Sequence, residues 1–155
     1  LGLAEAVASR VDGIEAPNQF ADGFPLLLTS EASIDEFNGR LVAAGHAPVG
    51  IERFRPNIVL GGVGAHDEDR VDMVRVDAGE REAVHLQPVK PRCPIPNVDP
   101  ATAEIDPSVS DTLRTYRQDK RVGGAITFGM NAIVRQGVGQ TLRVGQRIAA
   151  DLRFE

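Results

Sequence analysis

The stretch LLLTSEASI, residues 26–34, decides how this chain begins to fold, because it joins an apolar run to the start of a helix. Its first four residues are enough for a buried strand and too few for a helix of ordinary length. Ser33, with Glu36 three residues later, has the form of a capping box. Apolar side chains then recur at helical spacing, which predicts a helix over residues 34–44.

Short strands are predicted on the carboxyl side of this helix. Residues 58–60 form a second apolar run between a proline and two glycines. Residues 71–76 predict an irregular strand, and residues 83–88 predict another that ends at a proline. Further along, residues 125–134 have the β-branched and aromatic content of a strand, and residues 142–154 predict two more around a glycine turn.

The remaining segments set the domain organisation. Residues 1–19 are rich in alanine and are predicted to form a peripheral helix or linker ahead of one domain, residues 20–155. Five prolines within residues 88–100 argue against a helix or central strand there. A second helix is predicted from Asp106 to Lys120. Because short strands outnumber helices and no βαβ alternation is visible, we expect a mainly β fold, an antiparallel or mixed barrel with one or two inserted helices.

Length and composition exclude several classes of protein. The 155 residues carry 17 basic and 22 acidic side chains, a net charge of −5, which suits one globular domain. The single cysteine, Cys93, excludes an internal disulfide and a four-thiolate iron–sulfur cluster. The absence of an 18-residue apolar run or a secretory leader predicts a cytoplasmic protein that does not associate with membranes. The start at Leu1 leads us to expect a piece of a longer protein.

Charge is distributed unevenly along the sequence. Residues 1–112 carry 9 basic and 19 acidic side chains, whereas residues 113–155 carry 8 and 3. A basic end favours anionic partners. However, the chain has no tryptophan and one tyrosine, so a platform that stacks nucleic-acid bases is not expected. Fifteen of the 17 basic residues are arginine, which suits bidentate binding of phosphate or carboxylate but is equally explained by codon bias.

Cys93 is the first candidate for chemistry. It lies in the proline-bounded segment KPRCPIP, residues 90–96, where the backbone has little freedom. Lys90 and Arg92 favour the thiolate, the form that binds soft metals or attacks electrophiles. The alternative interpretation is a small buried hydrophobic residue.

The segment RFRPN, residues 53–57, is the second candidate. If it is extended, Arg53 and Arg55 lie on the same side and their guanidinium groups can converge on one anion, with Asn57 adding an amide. The alternative is a pair of surface arginines. The neighbouring segment HDED, residues 66–69, lacks the spacing of a calcium loop and is predicted to be a solvated acidic turn. His46 and His85 are interpreted as structural.

Several of these segments together resemble one family, the MOSC domain, which is the C-terminal module of molybdenum cofactor sulfurase. The resemblance covers about residues 20 to 150. It is specific because an Arg-Phe-Arg-Pro-Asn motif and an Arg-Cys…Val-Asp-Pro motif occur together. The residues that carry it are Asp22-Gly23-Phe24-Pro25, Thr29-Ser30-Glu31-Ala32-Ser33, Arg53 to Val59, Glu68-Asp69, Arg92-Cys93, Val98-Asp99-Pro100, Leu113 to Arg117, Phe128-Gly129 and Leu142-Arg143-Val144-Gly145.

The resemblance implies a closed β-barrel of the pyruvate-kinase β-barrel type that binds a molybdenum cofactor, molybdopterin. The nearest relatives it suggests are bacterial and mitochondrial amidoxime-reducing proteins. These reduce N-hydroxylated compounds with electrons from a partner, expected here to be a ferredoxin- or flavoprotein-like donor. In them the residue matching Cys93 ligates molybdenum and is catalytic. The cofactor-binding residues are then expected to be Gly23, Phe24, Arg53, Arg55, Asn57 and Arg92.

The sequence also departs from the family pattern. Relatives usually carry a preceding β domain, which is expected to be missing here, and many have a second cysteine where this chain has Lys90 and a tryptophan where it has Val71. A sulfur-carrier module that acts on the molybdenum cofactor therefore stays open as an alternative, as does a non-catalytic binding domain. No lysine motif for pyridoxal phosphate is visible, so that cofactor is not expected.

Overall fold

The computed structural model describes residues 7–11, 14–18, 23–94 and 96–153, the first two ranges as backbone only. Its contacts divide the chain into two compact units. The first unit contains Leu1–Leu26, Arg70–Lys90 and Asn131–Glu155, and the second contains Leu27–Asp69 and Pro91–Met130. Each unit is therefore assembled from segments that are separated in the sequence.

Strands dominate the described residues, with two α-helices among them. The helices are α1 (Glu31–Ala43) and α2 (Ser108–Arg114). The strands are β1 (Val7–Val11), β2 (Ile14–Asn18), β3 (Leu26–Ser30), β4 (Ile58–Leu60), β5 (Val71–Val76), β6 (Val84–Pro91), β7 (Gln118–Asp119), β8 (Ala125–Ile126), β9 (Met130–Gln136) and β10 (Ile148–Leu152).

The strands of the first unit follow the order β10-β5-β6-β9. β5 is antiparallel to both of its neighbours, with Val76 opposite Ile148 and Val74 opposite Leu86. Val74 and Leu86 are fully buried because the apolar side chains of these strands face the core of the unit. β1 and β2 form a separate antiparallel pair.

The second unit begins with a strand–helix–strand arrangement. β3 and β4 are parallel, with Leu28 opposite Ile58, and α1 provides the crossover that a parallel pair requires. Ser30 ends β3 and caps α1, since its Oγ accepts a hydrogen bond from the backbone N–H of Ser33 at 3.1 Å. The helix therefore begins three residues earlier than the sequence predicts, because Ser30 rather than Ser33 is the N-cap.

An aromatic cluster fills the core of the second unit. Phe37 from α1 packs edge-on against Phe54 and Phe128, with ring centroids 5.5 and 6.0 Å away. Phe54 and Phe128 are stacked at 3.9 Å with their planes 16° apart. The aliphatic members of the same cluster come from both helices and are Ile34, Leu41, Val109 and Leu113.

The structure confirms the mainly β fold class but not the closed barrel. Within each unit the described strands form an open order and do not close into a ring. The parallel pair around α1 is also a βαβ arrangement, which was not expected from the sequence although both strands and the helix were predicted separately. None of the helices among the described residues combines the length and the apolar character needed to cross a membrane.

Two other segments differ from their predicted secondary structure. Val7–Val11 and Ile14–Asn18 form two strands rather than the predicted helix or linker, because the β-branched residues Val7, Val11 and Ile14 outweigh the helix preference of the alanines. α2 ends at Arg114 instead of Lys120, and a short β-hairpin follows it. The predicted boundary between residues 19 and 20 lies outside the described residues and stays a prediction.

Prolines and glycines explain the remaining differences. β6 continues through Pro88 to Pro91 instead of ending at Pro88, and its registered pairs with β5 lie before that proline, at Val84–Leu86. The predicted strand over residues 125–134 is split into β8 and β9 by Gly129, which has a φ of +74°. Of the two strands predicted over residues 142–154, one is present, β10.

Substitution of Gly129 is predicted to cost more stability than substitution of Gly124, for a steric reason. A Cβ there would lie 2.5 Å from the carbonyl oxygen of Leu28, whereas a Cβ on Gly124, also at positive φ (+81°), would meet nothing within 4 Å. Gly124→Ala should cost about 1 kcal/mol of unfolding free energy through left-handed strain alone. Gly129→Ala should cost about 2–4 kcal/mol because the backbone clash adds to that strain. Urea unfolding of both variants checks this, and equal losses would contradict it.

Candidate functional site

Cys93 follows the end of β6 and is exposed to solvent. The residue before it is fixed on both sides: the N–H of Arg92 donates to the carbonyl of Gly129 and the carbonyl of Arg92 accepts from the N–H of Phe128, each at 3.0 Å. The interpretation of Cys93 as a buried hydrophobic residue is therefore wrong. The thiol is accessible, and its neighbour is held by strand-like hydrogen bonds.

Arg53 and Arg55 do not point the same way. Residues Ile51–Phe54 form a 3₁₀ turn, and Arg55 ends it in the left-handed conformation with a φ of +55°. The segment is therefore not extended, so the alternation that predicts two converging guanidinium groups does not apply. Arg53 is 8 % exposed, whereas Arg55 is exposed to solvent.

The guanidinium of Arg53 contacts the segment that follows Cys93. Its Nη2 donates to Oδ2 of Asp99 at 2.9 Å, and its Nη1 donates to the carbonyl oxygen of Pro96 at 3.3 Å. A buried cation is tolerated when a carboxylate and a carbonyl satisfy it in this way. Arg53 thus links the 3₁₀ turn to residues three and six positions beyond the thiol.

Asn57 is anchored to the first strand of the second unit. Its backbone N–H donates to the carbonyl of Leu27 at 3.0 Å, and its side-chain Oδ1 accepts from the N–H of Leu27 at 2.7 Å. These two bonds bring the chain into β4 beside β3. Because Asn57 is exposed, its amide NH₂ can still donate outward.

The stacked rings of Phe54 and Phe128 join the two candidate segments. Phe54 lies between Arg53 and Arg55, and the N–H of Phe128 is bonded to Arg92. The second unit therefore brings together five residues that the sequence singles out, which are Arg53, Arg55, Asn57, Arg92 and Cys93. Gly23, which is exposed with a φ of +80°, and Phe24, which is half-buried, belong to the first unit.

The predicted solvated acidic turn instead has one buried residue, Glu68, and its other three residues are half-buried. Glu68 is fully buried, and its carboxylate oxygens lie 2.6 Å from Oγ of Ser33, 3.0 Å from Oγ of Ser30 and 3.4 Å from Oγ1 of Thr29. The sequence carries a signal for this contact, since three hydroxyl residues surround the start of α1. Their partner, 35 to 39 positions away, is not apparent from local spacing.

Other polar groups of this turn are also enclosed. Asp69 accepts a hydrogen bond at 2.8 Å from Arg117 Nη2, and both side chains are at least 86 % buried. The ring of His66 lies between Tyr116 and Phe128, with centroids 5.8 and 5.9 Å away. Burial, followed by the nearby Arg117, lowers the pKa of His66, and burial raises the pKa of Tyr116 to about 12. Both groups are therefore neutral at pH 7.

The chain is also similar to proteins of one known family. A model of the MOSC domain matches residues 15–149, which includes every residue singled out above. The chain belongs to the MOSC domain family. The resemblance drawn from the Arg-Phe-Arg-Pro-Asn and Arg-Cys…Val-Asp-Pro motifs is thereby confirmed.

Similar curated proteins are known in animals. Mitochondrial amidoxime reducing component 2 of Homo sapiens is 36 % identical over 99 residues, 63 % of this MOSC chain and 28 % of that protein. Mitochondrial amidoxime-reducing component 1 of Xenopus laevis is 37 % identical over 100 residues, 64 % of this chain and 27 % of that protein. Molybdenum cofactor sulfurase of Caenorhabditis briggsae is 34 % identical over 125 residues, 78 % of this chain and 16 % of that protein.

The chain spans less than a third of the length of these three relatives. The family and the relatives imply a function related to the molybdenum cofactor. All three relatives are animal proteins, so they do not support the expected likeness to bacterial ones.

The residues at the site fit such a cofactor. An exposed thiol, once deprotonated, is a soft ligand of the kind that transition metals in thiolate sites require. The exposed guanidinium of Arg55 and the amide of Asn57 are donors suited to an anionic, oxygen-rich group. The donor set therefore combines one thiol of a kind that can ligate a metal with separate groups suited to an anion.

Glu68 makes the stability of the second unit depend on pH in a defined direction. Desolvation raises the pKa of Glu68 above 4.5, against the opposing hydrogen bonds from Ser33 and Ser30. Between pH 4.5 and that raised pKa the folded state binds more protons than the unfolded state, so stability falls as pH rises. Glu68→Gln keeps the shape and removes the ionisation. We expect the unfolding free energy of this variant not to decrease over that pH range and to be higher than that of the wild type at pH 7.

Urea unfolding at a series of pH values from 4 to 8 measures this difference. Glu104→Gln, at an exposed position, is the matched control and should follow the wild type. Glu68→Ala should be about 1–3 kcal/mol less stable than Glu68→Gln, because the buried hydroxyls lose their partner. If the unfolding free energy of the wild type, relative to that of Glu68→Gln, instead increased as pH rises, the assignment would be contradicted.

Proposed function

We propose that this chain binds a molybdenum cofactor through Cys93 and forms the cofactor-binding module of an oxidoreductase that reduces N-hydroxylated compounds. One observation carries the proposal. The exposed Cys93 follows Arg92, whose backbone is hydrogen-bonded to Phe128. The ring of Phe128 in turn stacks on Phe54 of the Arg-Phe-Arg-Pro-Asn segment. Its likeness to amidoxime reducing components supports the choice of reaction.

Each residue has a separate role in this proposal. The Cys93 thiolate is the metal ligand. Arg55 and Arg92 bind the anionic end of the pterin by charge-assisted hydrogen bonds, and the amide of Asn57 donates to it. Gly23 and Phe24 belong to the first unit, and the cofactor-binding role expected for them stays a prediction. The left-handed backbone at Arg55 directs a long cationic side chain to solvent, where a ligand is accessible.

The bound metal supplies oxygen-atom transfer, and the protein supplies orientation and electrostatics. Reduction of a substrate consumes two electrons, so the activity needs an electron donor, which we propose is a ferredoxin- or flavoprotein-like partner. Because the chain spans less than a third of its relatives, we propose that a further domain completes the pocket for substrate.

A second function is supported by the match to molybdenum cofactor sulfurase, which covers 78 % of the chain. In this second function, Cys93 is a sulfur carrier. The thiolate attacks the outer sulfur of a persulfide on a cysteine desulfurase, a new S–S bond forms, and the desulfurase leaves as its thiolate. The exposure of Cys93 suits this attack as well as it suits metal ligation.

The first function predicts that metal binding depends on Cys93. After expression in a host that makes molybdopterin, the protein should contain molybdenum and pterin near one per chain. Cys93→Ala should lose about tenfold or more of the metal while it keeps most of the pterin, because the arginines still bind the anion. Elemental analysis and pterin fluorescence measure the two. Equal molybdenum in both proteins would contradict ligation, and a folded wild type with neither would contradict cofactor binding by this chain.

The second function predicts a persulfide on Cys93. Incubation with a cysteine desulfurase and free cysteine should increase the mass of the intact protein by one sulfur atom, and dithiothreitol should reverse the change. Cys93→Ser provides the control because serine cannot carry the sulfur. An unchanged mass in the wild type would exclude sulfur transfer from that donor.

A further inference from the structure

Arg53 is a buried cation whose guanidinium contacts two residues downstream of Cys93. It is 8 % exposed, compared with 31 % for the side chain of its partner Asp99. Its Nη1 and Nη2 both donate to the segment that follows the thiol, at Pro96 and Asp99. An arginine buried in this way is not presented to a ligand in solution.

Asp99 is a firm anchor for this contact. Its Oδ1 accepts from the N–H groups of Ala101 at 2.8 Å and Thr102 at 3.2 Å, which leaves Oδ2 for Arg53. Its own N–H donates to the carbonyl of Glu104 at 2.9 Å. These backbone hydrogen bonds, with the Arg53 charge beside them, lower the pKa of Asp99, so the carboxylate stays ionised and paired.

The thiol therefore lies between two fixed points. On one side, Arg92 is bonded to Gly129 and Phe128 through its backbone. On the other side, Arg53 holds the carbonyl of Pro96 and the carboxylate of Asp99. A ligand that must meet a metal within a few tenths of an ångström needs such support from groups that do not touch the metal.

We propose that Arg53 is a positioning residue that holds the Cys93 segment in the geometry for metal ligation, and that it does not bind the pterin. The inference rests on the proposed function for its metal, but the contact itself can be tested in the metal-free protein. It gives the two arginines of the Arg-Phe-Arg-Pro-Asn segment different roles, since Arg55 binds the ligand and Arg53 supports the cysteine.

The first test measures hydrogen exchange of the metal-free chain. In Arg53→Gln and in Asp99→Asn, amides in the peptide covering residues 92–99 should exchange about tenfold faster or more, because a charge-assisted contact is lost. Amides of α1 report global stability and should change less. Arg53→Lys should recover part of the protection, since it keeps the charge but lacks the fork.

Two further variants separate positioning from general destabilisation. Arg114→Gln removes an exposed arginine that pairs with Asp111 on α2 at 2.8 Å, and it should exchange like the wild type. Arg53→Gln combined with Asp99→Asn should add little to either single change, because both remove the same contact. Exchange of residues 92–99 that rises no more than that of α1 would overturn the proposal.

The second test uses the cofactor-loaded protein. Arg53→Gln should lower the ratio of molybdenum to pterin by about tenfold, as is typical when support for a metal ligand is lost. Arg55→Gln should instead lower pterin and metal together. A fall in pterin for Arg53→Gln as large as for Arg55→Gln would overturn the proposal. A wild type without cofactor contradicts the proposed function alone, and the hydrogen-exchange test still decides the role of Arg53.

Discussion

The candidate site depends on the stacking of Phe54 against Phe128, 3.9 Å apart in the core of the second unit. Each ring is adjacent in sequence to site residues or bonded to one: Phe54 lies between the two arginines, and Phe128 holds Arg92 through its N–H. Stacked rings contribute about 0.5–1.5 kcal/mol beyond the area they bury. The same contact that stabilises the core therefore brings the cysteine segment next to the arginine segment.

Arg53, Asp69 and Glu68 show how this unit tolerates buried charge. Arg53 is paired with a carboxylate and a carbonyl, Asp69 with the guanidinium of Arg117, and Glu68 with three hydroxyl groups. The first two form pairs of opposite charge, in which removal of one partner would leave the other uncompensated. Glu68 has hydroxyl partners, and its pKa is raised by desolvation. These contacts connect the 3₁₀ turn at Arg53 to Asp99 and the turn at Glu68 to the start of α1. They also connect Asp69 to Arg117, which follows α2.

Apolar runs were sufficient to predict β3, β4 and β5, because a buried strand needs little more than its own side chains. The motifs were sufficient to predict the family. Sequence spacing failed where the backbone departs from a regular period, as at the 3₁₀ turn that separates Arg53 from Arg55. It also failed for Glu68, whose hydroxyl partners lie around the start of α1, far away in the sequence. Contacts between distant segments decide the exposure of a polar residue, and no local pattern encodes them.

The interleaved order of the two units has a consequence for synthesis on the ribosome. The second unit has all of its residues once Met130 has been made, whereas the first unit still requires residues 131–155. Its aromatic core and both segments of the candidate site come from residues before that point. All residues of the second unit are therefore synthesised before β10, which pairs with β5 of the first unit.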